Sequence, residues 1–154
     1  MPLALAGNAR DRFVAALHAQ QQGDRFTAAY HYRTVLDAEP RHPAALRGLA
    51  KLNVTAREAL KFTHHKDPKQ RARAVKGILS LADDSRLRAL LIALRNTHYD
   101  VRVPAIEALG ATYDKRAVKP LLRRLMMAGG NPQSVYIAQT RQIAYVQDYD
   151  VEIA

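Results

Sequence analysis

A chain of 154 residues, 48% of them apolar, can build one sizeable core or one short array of repeats, and its lack of cysteine excludes disulfides, iron–sulfur clusters and thiolate zinc sites. No apolar run approaches the ~18 residues that a membrane-spanning helix needs. The opening MPLALAGNARDRF breaks too soon into charge for a secretory leader, so the expected location is cytoplasmic. The net charge of +10 is regional, because Arg57 to Arg124 holds 16 Lys and Arg against 7 Asp and Glu. A regional positive field favours an acidic partner: an acidic protein, nucleic acid or an anionic surface.

The first expected helices run over 9–22 and 24–38, with Gly23 and Asp24 at the turn between them. Pro40 stops the second. A further pair is expected over 43–52 and 55–64, with a weaker apolar pattern.

The next pair, 68–81 and 84–96, starts from Asp67 before Pro68. There the Asp oxygen can accept a free backbone N–H, and Pro needs no donor. Asp83 or Asp84 is expected to cap the second helix. The last pair, 101–112 and 115–127, repeats this one 31 residues later. Arg71 aligns with Arg102, Ala74 with Ala105, Ile78 with Leu109 and Asp83 with Asp114; then Leu87 aligns with Val118, Leu90 with Leu121, Leu91 with Leu122 and Leu94 with Leu125. The shared apolar positions follow the i, i+3, i+4, i+7 spacing of a buried helix face, so the segments are one unit written twice. Pro104 and Pro120 are expected near helix starts, where a missing N–H matters least. Gly129, Gly130, Asn131 and Pro132 end the pattern.

The motif Asp67, Pro68, Arg71, Ala74, Asp83 and its second copy Val101, Arg102, Ala105, Glu107 to Gly110, Asp114, Ala117, Val118 resemble HEAT-like repeats of the phycobilisome-lyase type. The second copy has His98-Tyr99 where the family favours Asp-Pro, and the first has Gln70 where Val is usual. Upstream, Gly23, Asp24, Ala28, Tyr32, Pro40, Leu46 and Leu49 resemble a tetratricopeptide repeat; the helix before them has Arg12, Ala15 and Ala19 where larger apolar residues are usual. The two resemblances imply an all-α short solenoid of four helical hairpins. Tetratricopeptide-like hairpins would occupy 1–66 and two HEAT-like repeats 67–128 of one continuous array, in which each hairpin buries the stripe its neighbour exposes.

Residues 129–154 differ. Val135, Ile137, Ile143 and Tyr145 alternate in a segment rich in Val, Ile, Tyr and Thr, which reads as a β-like tail. Two readings stay open: a β element completed by further sequence or by another chain, which would allow self-association, and a frayed end.

Candidate chemistry is sparse. The serines are Ser80, Ser85 and Ser134, and the histidines are scattered. His64, His65 and Asp67 suggest a metal only weakly, since adjacent residues at a helix end point apart, so no metal and no cofactor is expected. The iron-dependent hydroxylases built on HEAT-like repeats carry His-Glu steps, and the HEAT-like DNA glycosylases stack tryptophans; the sequence has neither. A non-enzymatic scaffold binding a protein partner is therefore the expected function. The alternative is sequence-tolerant nucleic-acid binding through a basic face of Arg86, Arg88, Arg95, Lys115, Arg116, Lys119, Arg123 and Arg124, with the 31-residue period setting Arg88 beside Lys119. An ordinary solvated polar face has the same composition. Tyr99 and Tyr113 are the nearest aromatics for base stacking.

Overall fold

The computed structural model describes residues 2–127, with side chains from residue 9 onward, so the β-like reading of 129–154 lies outside the described residues. Eight helices follow one another: α1 (Pro2–Gln21), α2 (Arg25–Ala38), α3 (Pro43–Leu52), α4 (Ala56–Phe62), α5 (Pro68–Leu79), α6 (Asp83–Ala93), α7 (Tyr99–Thr112) and α8 (Lys115–Met127). The all-α expectation holds for this stretch. The first helix begins at Pro2 rather than at residue 9. The backbone groups into two compact units that divide between Ala89 and Leu90, within α6.

In the first unit, α1 packs along α2, α2 also packs on α3 and α5, and α4 packs on α5. Small residues set the α1–α2 distance: Ala16, Ala19, Ala28 and Ala29 are all buried, with Tyr32, Val35, Leu36, Ala45 and Leu52 completing the cluster. Alanine at position 19 is thus a close-approach position, which accounts for the departure from larger apolar residues in the first helix. Tyr32 lies over Gly48, where an added Cβ would sit 2.5 Å from ring Cζ. Its hydroxyl donates to Gln20 Oε1 at 2.7 Å.

Phe26 closes the α2–α5 contact in a similar way. Its ring rests on Gly77, where a Cβ would meet Cδ1 at 2.6 Å, and stands edge-on to Phe62 at 5.7 Å. Polar bonds reinforce this junction. Arg73 Nε pairs with Asp24 Oδ2 at 3.2 Å, and Arg33 Nε donates to the Ser80 carbonyl at 2.9 Å. Arg25 reaches Glu58 Oε1 at 2.7 Å and the Leu52 carbonyl at 2.8 Å. The N-terminal helices and the first HEAT-like helix therefore share one packed body.

His31 is half-buried on α2, with Nδ1 enclosed and unpartnered. Burial, then the positive charges of Arg12 and Lys76, push its pKa below the ordinary 6.5, against a smaller opposing effect of Asp24. Because the folded state takes up this proton less readily than the unfolded chain, stability falls as pH drops below ~6.5. Urea unfolding at pH 7.5 and 5.0 is expected to show a smaller difference in His31→Gln than in the parent.

The 31-residue period has a physical counterpart in the turns that precede α5 and α7. Arg71 Nη1 donates to the carbonyls of His65 and Lys66 at 2.9 and 3.0 Å. Arg102 Nη1 donates to those of Asn96 and Thr97 at 2.9 and 2.7 Å. His65 Nδ1 accepts the Asp67 N–H at 3.0 Å, and Asn96 Oδ1 accepts the His98 N–H at 2.8 Å. Each repeat thus satisfies its exposed turn carbonyls with a guanidinium from the following helix. Asp67 caps α5 through the Lys69 N–H, whereas His98 makes no side-chain cap bond to α7, as its departure from Asp-Pro implies.

In the second unit, Val101, Ala105 and Leu109 of α7 and Ala117, Val118 and Leu121 of α8 are buried, as the apolar stripes require. The prolines differ from expectation. Helix α7 begins at Tyr99 and α8 at Lys115, so Pro104 and Pro120 are each the sixth residue of their helices, past the first turn. Each deprives a carbonyl four residues earlier of its intrahelical donor, a defect worth up to ~3 kcal/mol. Pro120→Ala is expected to raise the thermal unfolding midpoint, because it restores the bond to the Arg116 carbonyl.

Candidate partner-binding surface

Helix α8, KRAVKPLLRRLMM, has five cations and no carboxylate. Its core side is fixed by Ala117, Val118 and Leu121, with Leu122 and Leu125 half-buried beside them. That arrangement turns Lys115, Lys119 and Arg123, spaced i, i+4, i+8, to solvent. Such a row rises ~6 Å per step. Met126 and Met127 continue the exposed side, at 77% and 74% exposure.

The sequence-derived basic residues separate into two groups. Arg86 is half-buried on α6 and pairs with Asp83 Oδ1 at 2.8 Å, while Arg124 is half-buried on α8. Arg116 is exposed but committed. Its Nε and Nη2 engage both oxygens of Asp114 at 2.8–3.2 Å, while its backbone N–H donates to Asp114 Oδ1 at 2.8 Å. These bonds, side chain first, hold the Asp114 carboxyl below its usual pKa. In contrast, Arg88, Arg95, Lys115, Lys119 and Arg123 are exposed and form no ion pair among the described residues. Arg88 on α6 and Lys119 on α8, 31 residues apart in sequence, are each exposed.

Lys115 and Arg116 open α8 at the end where the helix dipole favours anions, and no acidic residue lies in that first turn. Asp114 just outside offsets part of this unfavourable field. Tyr99 and Tyr113 are also exposed, at 72% and 66%, and Tyr113 occupies the left-handed region at φ 53°. Arg102 stacks over Tyr99, 5.9 Å from the ring centroid. The two methionines escaped the sequence reading because Met126 and Met127 directly follow Leu125, the last position of the apolar stripe. Their helical angles are the signal that could have placed them outside it.

Two histidines have structural duties. His65 accepts the Asp67 N–H, and His42 Nδ1 caps α3 by accepting the Ala45 N–H at 3.1 Å. Among the described residues no cluster of three or more His, Asp or Glu could hold a metal ion. No helix among the described residues is long and apolar enough to cross a membrane.

Consecutive helices, with a turn and a guanidinium bond that recur 31 residues apart, define a helical repeat protein. Residues 56–129 match the family model of HEAT repeats, and over that stretch the chain is a HEAT-like helical repeat protein. The match takes in α4 as well as the two copies of the 31-residue unit. No curated protein and no solved structure matches the chain.

Proposed function

We propose that this chain is a non-catalytic scaffold that binds another protein, an acidic one, with the outward side of α8 as its principal contact. The observation that supports this most is the single-signed exposed row Lys115, Lys119 and Arg123 on a helix without a carboxylate. A merely solubilising surface works best with both signs interspersed, whereas a row of one sign attracts and orients an oppositely charged partner. Helical-hairpin arrays present extended surfaces of this kind to partners. Upstream, the left-handed Gly23 turn, the Asp24 cap on Thr27 and the buried Ala28 and Tyr32 support reading the N-terminal hairpin as tetratricopeptide-like.

The test passes cellular proteins over the immobilised chain, with and without nuclease. Proteins that remain after nuclease treatment and are lost on Lys119→Glu/Arg123→Glu support the reading. Retention abolished by nuclease would replace it with nucleic-acid binding, and retention indifferent to the charge reversals would remove α8 from the account.

A further inference from the structure

Resting on the scaffold reading, we infer that the α8 surface takes an acidic peptide segment carrying an apolar anchor, with its carboxylates on Lys115, Lys119 and Arg123 and its anchor against Met126 and Met127. Two features of one helix face point to this ligand. The cation row attracts anions, and spaced i, i+4, i+8 it covers ~12 Å along the helix axis. Beyond it, two methionines stand exposed where a polyphosphate would leave them in water. Methionine is flexible and polarisable, and it adapts to differing apolar side chains at binding surfaces. A phosphate backbone satisfies only the cations; a peptide with spaced acidic side chains followed by an apolar anchor satisfies both features.

Spacing bounds the ligand further. Met126 and Met127 lie ~5–6 Å beyond Arg123 along the axis, so carboxylates and anchor together span ~18 Å. An extended chain rising ~3.3 Å per residue covers this in about six residues, with successive carboxylates two residues apart on one side. The unfavourable placement of Lys115 and Arg116 in the first turn of α8 adds to the attraction, because a bound carboxylate there offsets the local positive field.

Fluorescence anisotropy tests the inference with three probes: a labelled synthetic peptide with three alternating glutamates followed by two leucines, the same peptide with serine for leucine, and inorganic polyphosphate of matched charge. Expected are saturable binding of the first peptide, weakening of at least tenfold in Lys119→Glu/Arg123→Glu, and weakening of threefold or more in Met126→Ser/Met127→Ser. Circular dichroism would confirm that each variant retains its helix content. Equal binding of the serine peptide, or competition by polyphosphate as effective as that of the leucine peptide, would overturn the inference, as would no binding or binding unchanged by the α8 substitutions. Proteins retained on the immobilised chain in spite of such a result would leave the scaffold reading standing and remove only this ligand.

Discussion

Tyr32→Ala is expected to destabilise the first unit by about 3–5 kcal/mol, the range for truncating a large buried ring. Tyr32 is 2% exposed in the α1–α2–α3 core, its ring held against Gly48 on one side and near Phe13, with a centroid separation of 5.9 Å, on another. The cavity cannot be filled by simple collapse, because the alanines around it already set the helices close together. Loss of the hydroxyl also leaves Gln20 without its partner, a smaller effect. Tyr32→Phe separates the two contributions, retaining the ring and removing only the hydrogen bond. Urea unfolding followed by circular dichroism would measure both, with Tyr32→Phe expected to fall within ~1.5 kcal/mol of the parent.

Gly77→Val is expected to cost about 1–3 kcal/mol by overpacking the α2–α5 contact. A Cβ at position 77 already meets Phe26 Cδ1, Cγ and Cε1 at 2.6, 3.0 and 3.2 Å, and the extra methyl groups of valine add to the crowding. Phe26 has little freedom to yield, since Phe62 stands edge-on beside it and the Arg73–Asp24 pair closes the adjoining turn. Phe26→Leu should relieve part of the strain, so a double-mutant cycle would give a favourable coupling between positions 26 and 77. Additive effects would show that the two residues do not pack together and that α2 and α5 are not held through this contact.

These two contacts show where sequence reading reaches its limit. The helices were legible because their buried positions recur at i, i+3 and i+4 and because Asp24, Asp67 and Asp114 mark starts with a clear physical reason. The repeat was legible because residues 31 apart share both core positions and turn chemistry. Neither ring-on-glycine contact was, because Tyr32–Gly48 and Phe26–Gly77 join helices whose relative placement local pattern does not encode. Caps from unusual residues were also missed, as with His42 on α3. Pro104 departs from expectation for a related reason, since with no side-chain cap at His98 nothing in the sequence marks the start of α7 at Tyr99, whereas Pro120 is the sixth residue already in the expected helix over 115–127.

The candidate surface was partly legible. Composition identified the basic stretch, but not which cations are committed to neighbouring carboxylates. Arg86 and Arg116 are spent on Asp83 and Asp114, an outcome set by side-chain geometry near each helix start. Subtracting them and the half-buried Arg124 leaves Arg88 and Arg95 exposed and, on α8, a row of Lys115, Lys119 and Arg123 that ends on exposed methionines. On the proposed reading, this combination of charge and apolar surface suits a peptide better than a phosphate backbone.

The most direct measurement of the central claim places a photo-crosslinking residue at position 119 of the full chain, with position 14 on the exposed side of α1 as control. Irradiation in cell extract is predicted to give nuclease-resistant protein adducts at position 119 that are absent at position 14 and lost when Arg123→Glu is added. Adducts made only of nucleic acid, or adduct yields no different between the two positions, would contradict the assignment of α8 as a protein-binding surface.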